Sequence, residues 1–306
     1  MVAAGGQHLI TYFQAIVIGL LQGVTELFPI SSLGHAVILP KLLGWHLNQK
    51  QPYFLAFLVA THLATALVLF LFFFREWMRI LRGIGRSLRG REIAADDADA
   101  RLGWLLIVGT IPAGIIGLLF EHPLRTLFAS PKAASAFLAV NGLLLLAAER
   151  LRRRAPGAEE RARELERAPE TSTSESAEKR LATLGFREAI GVGTAQAAAL
   201  FPGISRSGVT IGGSLFVGLT HEDAARYAFL LATPIIGAAA VLKLPDLFGS
   251  NGNGVRGPAL AGAVCAGVAA WASVKFLMRY FETNRLTPFA AYCLAAGVIC
   301  LVIFLV

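Results

Sequence analysis

Six long apolar runs constrain this chain more than any other feature of its sequence. A helix needs about 20 apolar residues to cross a hydrocarbon core of about 30 Å. Charged residues make up 16% of the chain, whereas soluble domains average about 25%. The sequence therefore predicts an all-α integral membrane protein. The runs that we interpret as membrane-spanning helices cover residues 53–74, 103–120, 133–148, 223–244, 258–281 and 286–306.

Two further apolar segments, residues 9–44 and 186–219, are each interrupted by a proline, Pro29 in the first and Pro202 in the second. The part beyond each proline has roughly a dozen residues, which at 1.5 Å per residue is too short to cross a bilayer. We therefore expect each segment to form a re-entrant helical hairpin. The charge pattern alone is equally compatible with two full crossings per segment.

The net charge of +8 comes from basic residues that lie between the apolar runs. Because Lys and Arg are enriched in the cytoplasmic loops of membrane proteins, we assign the loops 75–102 and 149–187 to the cytoplasm and do not expect nucleic acid as a partner. With this orientation the two broken segments enter the membrane from opposite sides. We therefore expect an inverted repeat, in which residues 1–150 and 185–306 each form one re-entrant hairpin and three spans.

Residues 151–184 separate the two halves and are rich in charge, with a Pro/Thr/Ser/Glu run at 169–176. Segments with many charges and few apolar residues cannot bury enough surface to fold. We interpret this segment as a solvated cytoplasmic linker that is partly helical at 159–167 and otherwise disordered.

Polar side chains cluster around the first break. Gln22 and Glu26 are four residues apart, so they lie on one face of a helix, and Ser31, Ser32 and His35 follow the break. An ionisable group within a membrane segment is a functional hypothesis by default. A carboxylate, hydroxyl groups and an imidazole can form a nucleophile and its base. We expect His35 to contact Glu26, either in catalysis or simply as a pair that closes the hairpin.

The second break carries a fixed positive charge. The sequence Ser205-Arg206-Ser207-Gly208 follows Pro202 at the predicted start of a helix. Backbone N–H groups at a helix N-terminus bind anions, and the planar guanidinium of arginine fits phosphate oxygens. Because apolar sequence flanks Arg206 closely on both sides, a phosphate or carboxylate ligand explains it better than a position at the membrane interface. We expect the two breaks to meet in one active site.

Three other polar residues lie within apolar runs, namely His62, Asn141 and Lys275. Each stands alone, without a set of polar neighbours in the sequence that would complete a site. We interpret them as packing residues or as side chains that reach the membrane interface.

The two motifs resemble those of the undecaprenyl-diphosphate phosphatase, or bacitracin-resistance, family of bacterial plasma-membrane enzymes. The resemblance covers nearly the whole chain apart from the charged linker. Two positions depart from the commonest family pattern, since Gln22 stands where many members have Glu and Leu33 replaces a frequent Thr. The matching residues are Gln22, Glu26, Pro29, Ser31, Ser32, Gly34 and His35 in the first motif and Pro202, Gly203, Ser205, Arg206, Ser207, Gly208 and Thr210 in the second.

The resemblance implies hydrolysis of undecaprenyl diphosphate to the monophosphate lipid carrier of cell-wall synthesis, in a site that opens to the outer face. It also implies a divalent cation, Mg²⁺ or Ca²⁺, with Glu26 as its ligand. Carried over by position, Glu26, His35 and Arg206 are catalytic and Ser32 is a candidate nucleophile. The residues expected to contact the substrate are Gln22, Ser31, Gly34, Ser205, Ser207, Gly208 and Thr210.

A second hypothesis is a transporter or flippase of a phosphorylated polyprenyl lipid, because inverted repeats and broken helices are typical of transporters. Such a protein needs Arg206 but has less need of Glu26 and His35 together, which favours the enzyme. The expected partners are the polyprenyl diphosphate and membrane lipid, and a homodimer is one expected oligomeric state.

Overall fold

Helices dominate the fold. The computed structural model describes residues 2–3, 7–49, 51–128, 130–152, 174–249 and 253–306. Two strands of two residues each, β1 (Val2–Ala3) and β2 (Gln7–His8), pair antiparallel with Val2 opposite His8. The described helices are α1 (Tyr12–Thr25), α2 (Ser32–Leu42), α3 (Pro52–Phe72), α4 (Phe74–Gly90), α5 (Ala98–Phe128), α6 (Pro131–Leu151), α7 (Ser174–Leu181), α8 (Phe186–Ala195), α9 (Arg206–Phe216), α10 (His221–Phe248), α11 (Arg256–Tyr280) and α12 (Thr287–Leu305).

Six helices of the described chain are long and apolar enough to cross a membrane, and their mean hydropathy lies between 1.5 and 2.4. Each of the six apolar runs of the sequence falls on one of them. The prediction of an all-α membrane protein is confirmed. The apolar stretches of these helices are Pro52–Phe72, Ala98–Phe120, Pro131–Leu151, His221–Lys243, Arg256–Tyr280 and Thr287–Leu305.

Each broken segment folds as two short helices joined at its proline. Helix α1 gives way to a turn that contains Pro29, and α2 begins at Ser32. Helix α8 continues as a 3₁₀ helix over Gln196–Leu200 before α9 begins at Arg206. Proline donates no N–H and its ring clashes with the preceding turn, which interrupts a helix.

The first helix of each broken pair packs against a long helix from the other half of the chain. Helix α1 meets α11 where Gly19 faces Gly262, and α8 meets α5 where Gly193 faces Gly109. A Cβ atom on Gly19 would lie 2.2 Å from the Gly262 carbonyl oxygen, and one on Gly193 would lie 1.9 Å from the Gly109 carbonyl oxygen. Small residues allow such close backbone contact between helices in membranes. Gly19 lies three residues before Gln22, and Gly193 lies three residues before Gln196. The two close contacts therefore occur at the same distance from a glutamine in each broken segment.

The prediction of a loop over 75–102 is wrong for its first part, which forms α4. One face of α4 is buried and carries Trp77 and Glu76. The Glu76 carboxylate accepts a hydrogen bond from Arg226 of α10 at 3.2 Å. A row of apolar residues interleaved with arginines therefore folds as an amphipathic helix rather than as a loop.

The prediction of a solvated linker is wrong at its C-terminal end. Ala177 and Leu181 of α7 are buried against the rest of the protein. Glu178, which is 1% exposed, accepts two hydrogen bonds from Arg79 of α4. The helix predicted over 159–167 lies outside the described residues.

Glu178→Gln is expected to lower stability, because Arg79 loses its anionic partner. A hydrogen bond to a charged group contributes about 1.5–3 kcal/mol, and part of this is recovered from water because the Arg79 side chain is 32% exposed. We expect the free energy of unfolding to fall by about 1 kcal/mol and the thermal midpoint in detergent by about 2–4 °C. Scanning fluorimetry measures the midpoint, with the exposed Glu282→Gln as control. An unchanged midpoint would contradict the docking of α7.

Candidate active site

The tips of the two broken segments meet inside the helix bundle. Ser207 donates a hydrogen bond from its hydroxyl to the Phe28 carbonyl at 3.0 Å. Asn141 of α6 bridges the tips, since its Nδ2 donates to the Pro29 carbonyl at 2.9 Å and its Oδ1 accepts from the Ser205 N–H at 3.0 Å. Asn141 is fully buried, and buried polar groups are normally satisfied in this way. The predicted meeting of the two motifs is confirmed.

Both tips begin their second helix with the same serine cap. Ser31 accepts a hydrogen bond from the Gly34 N–H at 3.3 Å, and Ser205 accepts one from the Gly208 N–H at 3.1 Å. A serine at this position satisfies an N–H group that the helix leaves free. Ser31 has a φ of 71°, a conformation that residues other than glycine rarely adopt. Backbone strain of this kind is concentrated at functional sites.

Glu26 lies where the two capped helices converge. Its Oε2 accepts hydrogen bonds from Gln22 Nε2 at 2.9 Å and from the Ser32 hydroxyl at 2.5 Å, and its Oε1 is paired with the Arg206 guanidinium. The Glu26 side chain is only 3% exposed, so its charge depends on these partners. A serine hydroxyl that donates to a buried carboxylate is the arrangement of a nucleophile with its general base.

A cavity of about 330 Å³ opens beside this cluster. Its polar end contains Glu26, Ser32 and Arg206. Lys243 also lines the cavity. A cavity that combines charged groups with an apolar wall fits an amphiphile with an anionic head and a hydrocarbon tail. The apolar wall contains Leu55, Leu58, Val59, Ile235, Ile236, Ala239 and Ala240.

Gln196 adds a polar group to the same cavity, although the sequence assigned it no role. It is 3% exposed, and neither its amide oxygen nor its amide nitrogen has a hydrogen-bond partner among the described residues. Leaving a buried amide unsatisfied costs free energy. A ligand in the cavity is therefore expected to supply the missing partners.

The expected contact between His35 and Glu26 is wrong. The His35 Nδ1 donates to the Ser31 carbonyl oxygen at 2.6 Å, and its Nε2 accepts from the Tyr292 hydroxyl at 2.8 Å. The imidazole also stacks on the Tyr292 ring, with centroids 5.8 Å apart. Both ring nitrogens are therefore engaged away from Glu26, and His35 lies outside the cavity lining. Its catalytic role stays a prediction, while its contacts stabilise the strained turn at Ser31.

The imidazole beside Glu26 belongs to His62 of α3. Its Nε2 lies 3.4 Å from Glu26 Oε2, and its Nδ1 donates to the Leu58 carbonyl at 2.8 Å. The interpretation of His62 as a residue without polar neighbours is wrong, because it lies beside Glu26 and lines the cavity. The signal was present in the sequence, since an ionisable residue within a spanning run is a functional candidate even without polar neighbours.

The other residues predicted to contact substrate divide into two groups. Ser31 and Ser205 line the cavity, whereas Gln22 supports Glu26. The remaining residues fix the backbone of the tips, as when the Thr210 hydroxyl donates to the carbonyl of the residue four positions earlier at 2.7 Å. The residues outside the cavity lining are Gln22, Gly34, Ser207, Gly208 and Thr210.

Comparison with known proteins places this arrangement in a family. The family model described as "Bacitracin resistance protein BacA" matches residues 15–299. The chain belongs to this family. Undecaprenyl-diphosphatase of Mycolicibacterium paratuberculosis is 51% identical over 95% of this chain and 96% of its own length. Undecaprenyl-diphosphatase 2 of Frankia alni is 47% identical over 97% of this chain and 99% of its own length. Undecaprenyl-diphosphatase of Granulibacter bethesdensis is 47% identical over 93% of this chain and 94% of its own length.

Few side chains at this BacA-family site are of the types that bind a divalent cation. The described residues contain no group of three or more His, Cys, Asp or Glu side chains that could hold one. Glu26 is the one carboxylate in the described cavity lining, and both its oxygens already have partners. Mg²⁺ commonly binds one or two carboxylates together with substrate phosphates. A cation here would therefore take most of its ligands from the substrate.

Proposed function

We propose that this chain hydrolyses undecaprenyl diphosphate to undecaprenyl phosphate and inorganic phosphate. The observation that carries the proposal is the Ser32 hydroxyl bonded to Glu26, beside Arg206, at the polar end of an apolar cavity. Relatives that align over nearly their whole length are named undecaprenyl-diphosphatases. The product is the monophosphate lipid carrier of cell-wall synthesis, and the family takes its name from bacitracin resistance.

The two parts of the substrate bind different parts of the cavity. The diphosphate lies at the polar end, where Arg206 and the N-terminus of α9 provide positive charge. The prenyl chain follows the apolar wall between Leu58 of α3 and Ile235 of α10. Arg206 then exchanges Glu26 for phosphate oxygens, which frees the carboxylate to accept a proton.

The chemistry follows from the contact between Ser32 and Glu26. The Ser32 oxygen attacks the terminal phosphorus as its proton passes to Glu26, and the bond from that phosphorus to the bridging oxygen breaks. Undecaprenyl phosphate leaves, and water then attacks the phosphoserine and releases inorganic phosphate. Arg206 neutralises the charge on the transferring group, which is most of what phosphoryl transfer requires. Direct attack by water, with Glu26 as the base, is the alternative, and it predicts that Ser32→Ala retains turnover.

Phosphate release from purified protein tests the function. The wild-type chain in detergent, with Mg²⁺ or Ca²⁺ present, is expected to release inorganic phosphate from undecaprenyl diphosphate. The rival function is a flippase, which the transporter-like broken helices favour. If reconstituted protein moves a labelled polyprenyl phosphate across vesicles but releases no phosphate, the flippase is correct and the enzyme is not.

His62→Leu is expected to lower kcat at least about tenfold, because the polar contact with Glu26 is lost at the point of proton transfer. His62→Gln retains a polar group there and is expected to recover part of the rate. The matched control is His46→Leu, the same change at an exposed histidine. The rate of phosphate release gives kcat for all three variants. If His62→Leu has the kcat of the wild-type chain, the His62 imidazole takes no part in the reaction.

We further propose that the cation, Mg²⁺ or Ca²⁺, is held between Glu26 and the diphosphate, where it would neutralise phosphate charge. The protein alone is expected to bind Mg²⁺ too weakly for titration calorimetry to detect. Binding is expected when a methylene-bridged, non-hydrolysable analogue of the substrate is present. Tight Mg²⁺ binding without the analogue would show that protein side chains form a complete site.

The chain is a multi-pass membrane protein, and we place it in the bacterial plasma membrane with its site opening to the outer face. The basic loops support this orientation. The inverted repeat is supported by the equivalent glycine contacts at Gly19 and Gly193 and by the equivalent caps at Ser31 and Ser205. The homodimer and the lack of a nucleic-acid partner stay predictions.

A further inference from the structure

Helix α4 presents an exposed row of apolar side chains away from the active site. Phe74, Leu81 and Leu88 are 46%, 49% and 61% exposed. They are spaced by seven residues, which places them on one face of the helix with a drift of only about 20° per heptad. We call these three residues the apolar row.

A second exposed row lies beside the first. Arg75, Arg82 and Arg89 each follow a residue of the apolar row by one position, and all three are exposed. At about 100° per residue, this arginine row lies about a quarter of a turn from the apolar row. The opposite side of α4, which includes Ile80 and Gly83, is buried and holds the helix against the bundle.

The arginine row is also separate from the ion pairs that α4 makes with the protein. Arg79 is paired with Glu178, and Arg86 donates two hydrogen bonds of 2.8 Å to Asp97. The Arg86 guanidinium holds the pKa of Asp97 below its usual value. The arginine row, by contrast, forms no ion pair with any other residue that the structure describes.

We propose that this face of α4 binds anionic phospholipid at the membrane surface. Helix α4 begins two residues after the spanning stretch Pro52–Phe72, so it starts where the chain leaves the hydrocarbon core. Helices that lie in the interface place apolar side chains in the acyl region and basic side chains among the headgroups. Clustered arginines attract anionic lipids in particular. The inference does not depend on the proposed hydrolysis, because these two rows lie outside the cavity lining.

Native mass spectrometry of the purified full-length chain tests the proposal, with phosphatidylglycerol and phosphatidylcholine as the two probes. The wild-type chain is expected to bind phosphatidylglycerol at least about tenfold more tightly than phosphatidylcholine. The variant R75Q/R82Q/R89Q is expected to bind both lipids within about a factor of two. The control R187Q/K275Q/R279Q removes the same number of exposed charges elsewhere and is expected to keep the preference.

The apolar row has its own test. F74A/L81A/L88A is expected to weaken binding of both lipids by a similar factor, because acyl contacts do not distinguish headgroups. Circular dichroism and an unchanged thermal midpoint in detergent establish that each variant is folded. The proposal is overturned if the wild-type chain shows no preference for phosphatidylglycerol, if the arginine-row variant keeps it, or if the control loses it equally.

Discussion

Arg206→Ala is expected to lower kcat/KM for undecaprenyl diphosphate about a thousandfold. Arginines that neutralise a transferring phosphoryl group contribute about 10³–10⁵ in rate. Arg206 is the arginine at the polar end of the described cavity lining. Its side chain is only 20% exposed, so water screens its charge weakly. Initial rates of phosphate release at undecaprenyl diphosphate concentrations below KM measure the loss in kcat/KM.

Two variants control for this substitution. Arg206→Lys keeps the charge but loses the planar fork, so we expect it to recover only part of the rate. Arg187→Ala removes an exposed arginine near the start of the same broken segment and is expected to leave the rate within about twofold. Near-normal kcat/KM in Arg206→Ala would exclude this guanidinium from the reaction.

Glu26→Gln is expected to lower kcat between about a hundredfold and ten-thousandfold, the usual contribution of a general base. Glutamine has nearly the same shape as glutamate but cannot take the proton that Ser32 donates at 2.5 Å. Because Glu26 also pairs with Arg206, the substitution frees the guanidinium for phosphate. In the absence of divalent cations, Glu26→Gln is therefore expected to bind the methylene-bridged analogue at least as tightly as the wild-type chain does. Kinetics and calorimetry together measure both effects.

That combination separates catalysis from misfolding, since a misfolded site loses both turnover and binding. Residues that act as one unit are strongly non-additive, so Ser32→Ala added to Glu26→Gln is expected to produce little further loss. Glu282→Gln, the same change in an exposed residue, is expected to have no effect. If Glu26→Gln turns over normally, or if it loses analogue binding in cation-free buffer while folded, the base assignment fails.

The sequence by itself was informative about contacts within one segment. The spacing of Gln22 and Glu26 predicted a shared helix face, and the structure joins them by a hydrogen bond of 2.9 Å. The segment from Ser205 to Gly208 was predicted to start a helix, and Ser205 is the cap of α9. The seven-residue spacing of Phe74, Leu81 and Leu88 is also visible in the sequence, although residues 75–102 were predicted to be a loop. Contacts between residues a few positions apart depend on the local backbone conformation, which the local sequence largely determines.

Only the tertiary structure decided which side chains meet across the bundle. His35 is nine residues from Glu26 yet turns to Tyr292, whereas His62, from a different helix, lies 3.4 Å from the carboxylate. Asn141 likewise gains its role only because α6 passes between the two tips. The physical reason is that hydrogen bonds within a turn depend on the backbone dihedrals of a few residues. Contacts between distant helices depend on how closely those helices pack, and that is set jointly by side chains spread over the whole chain.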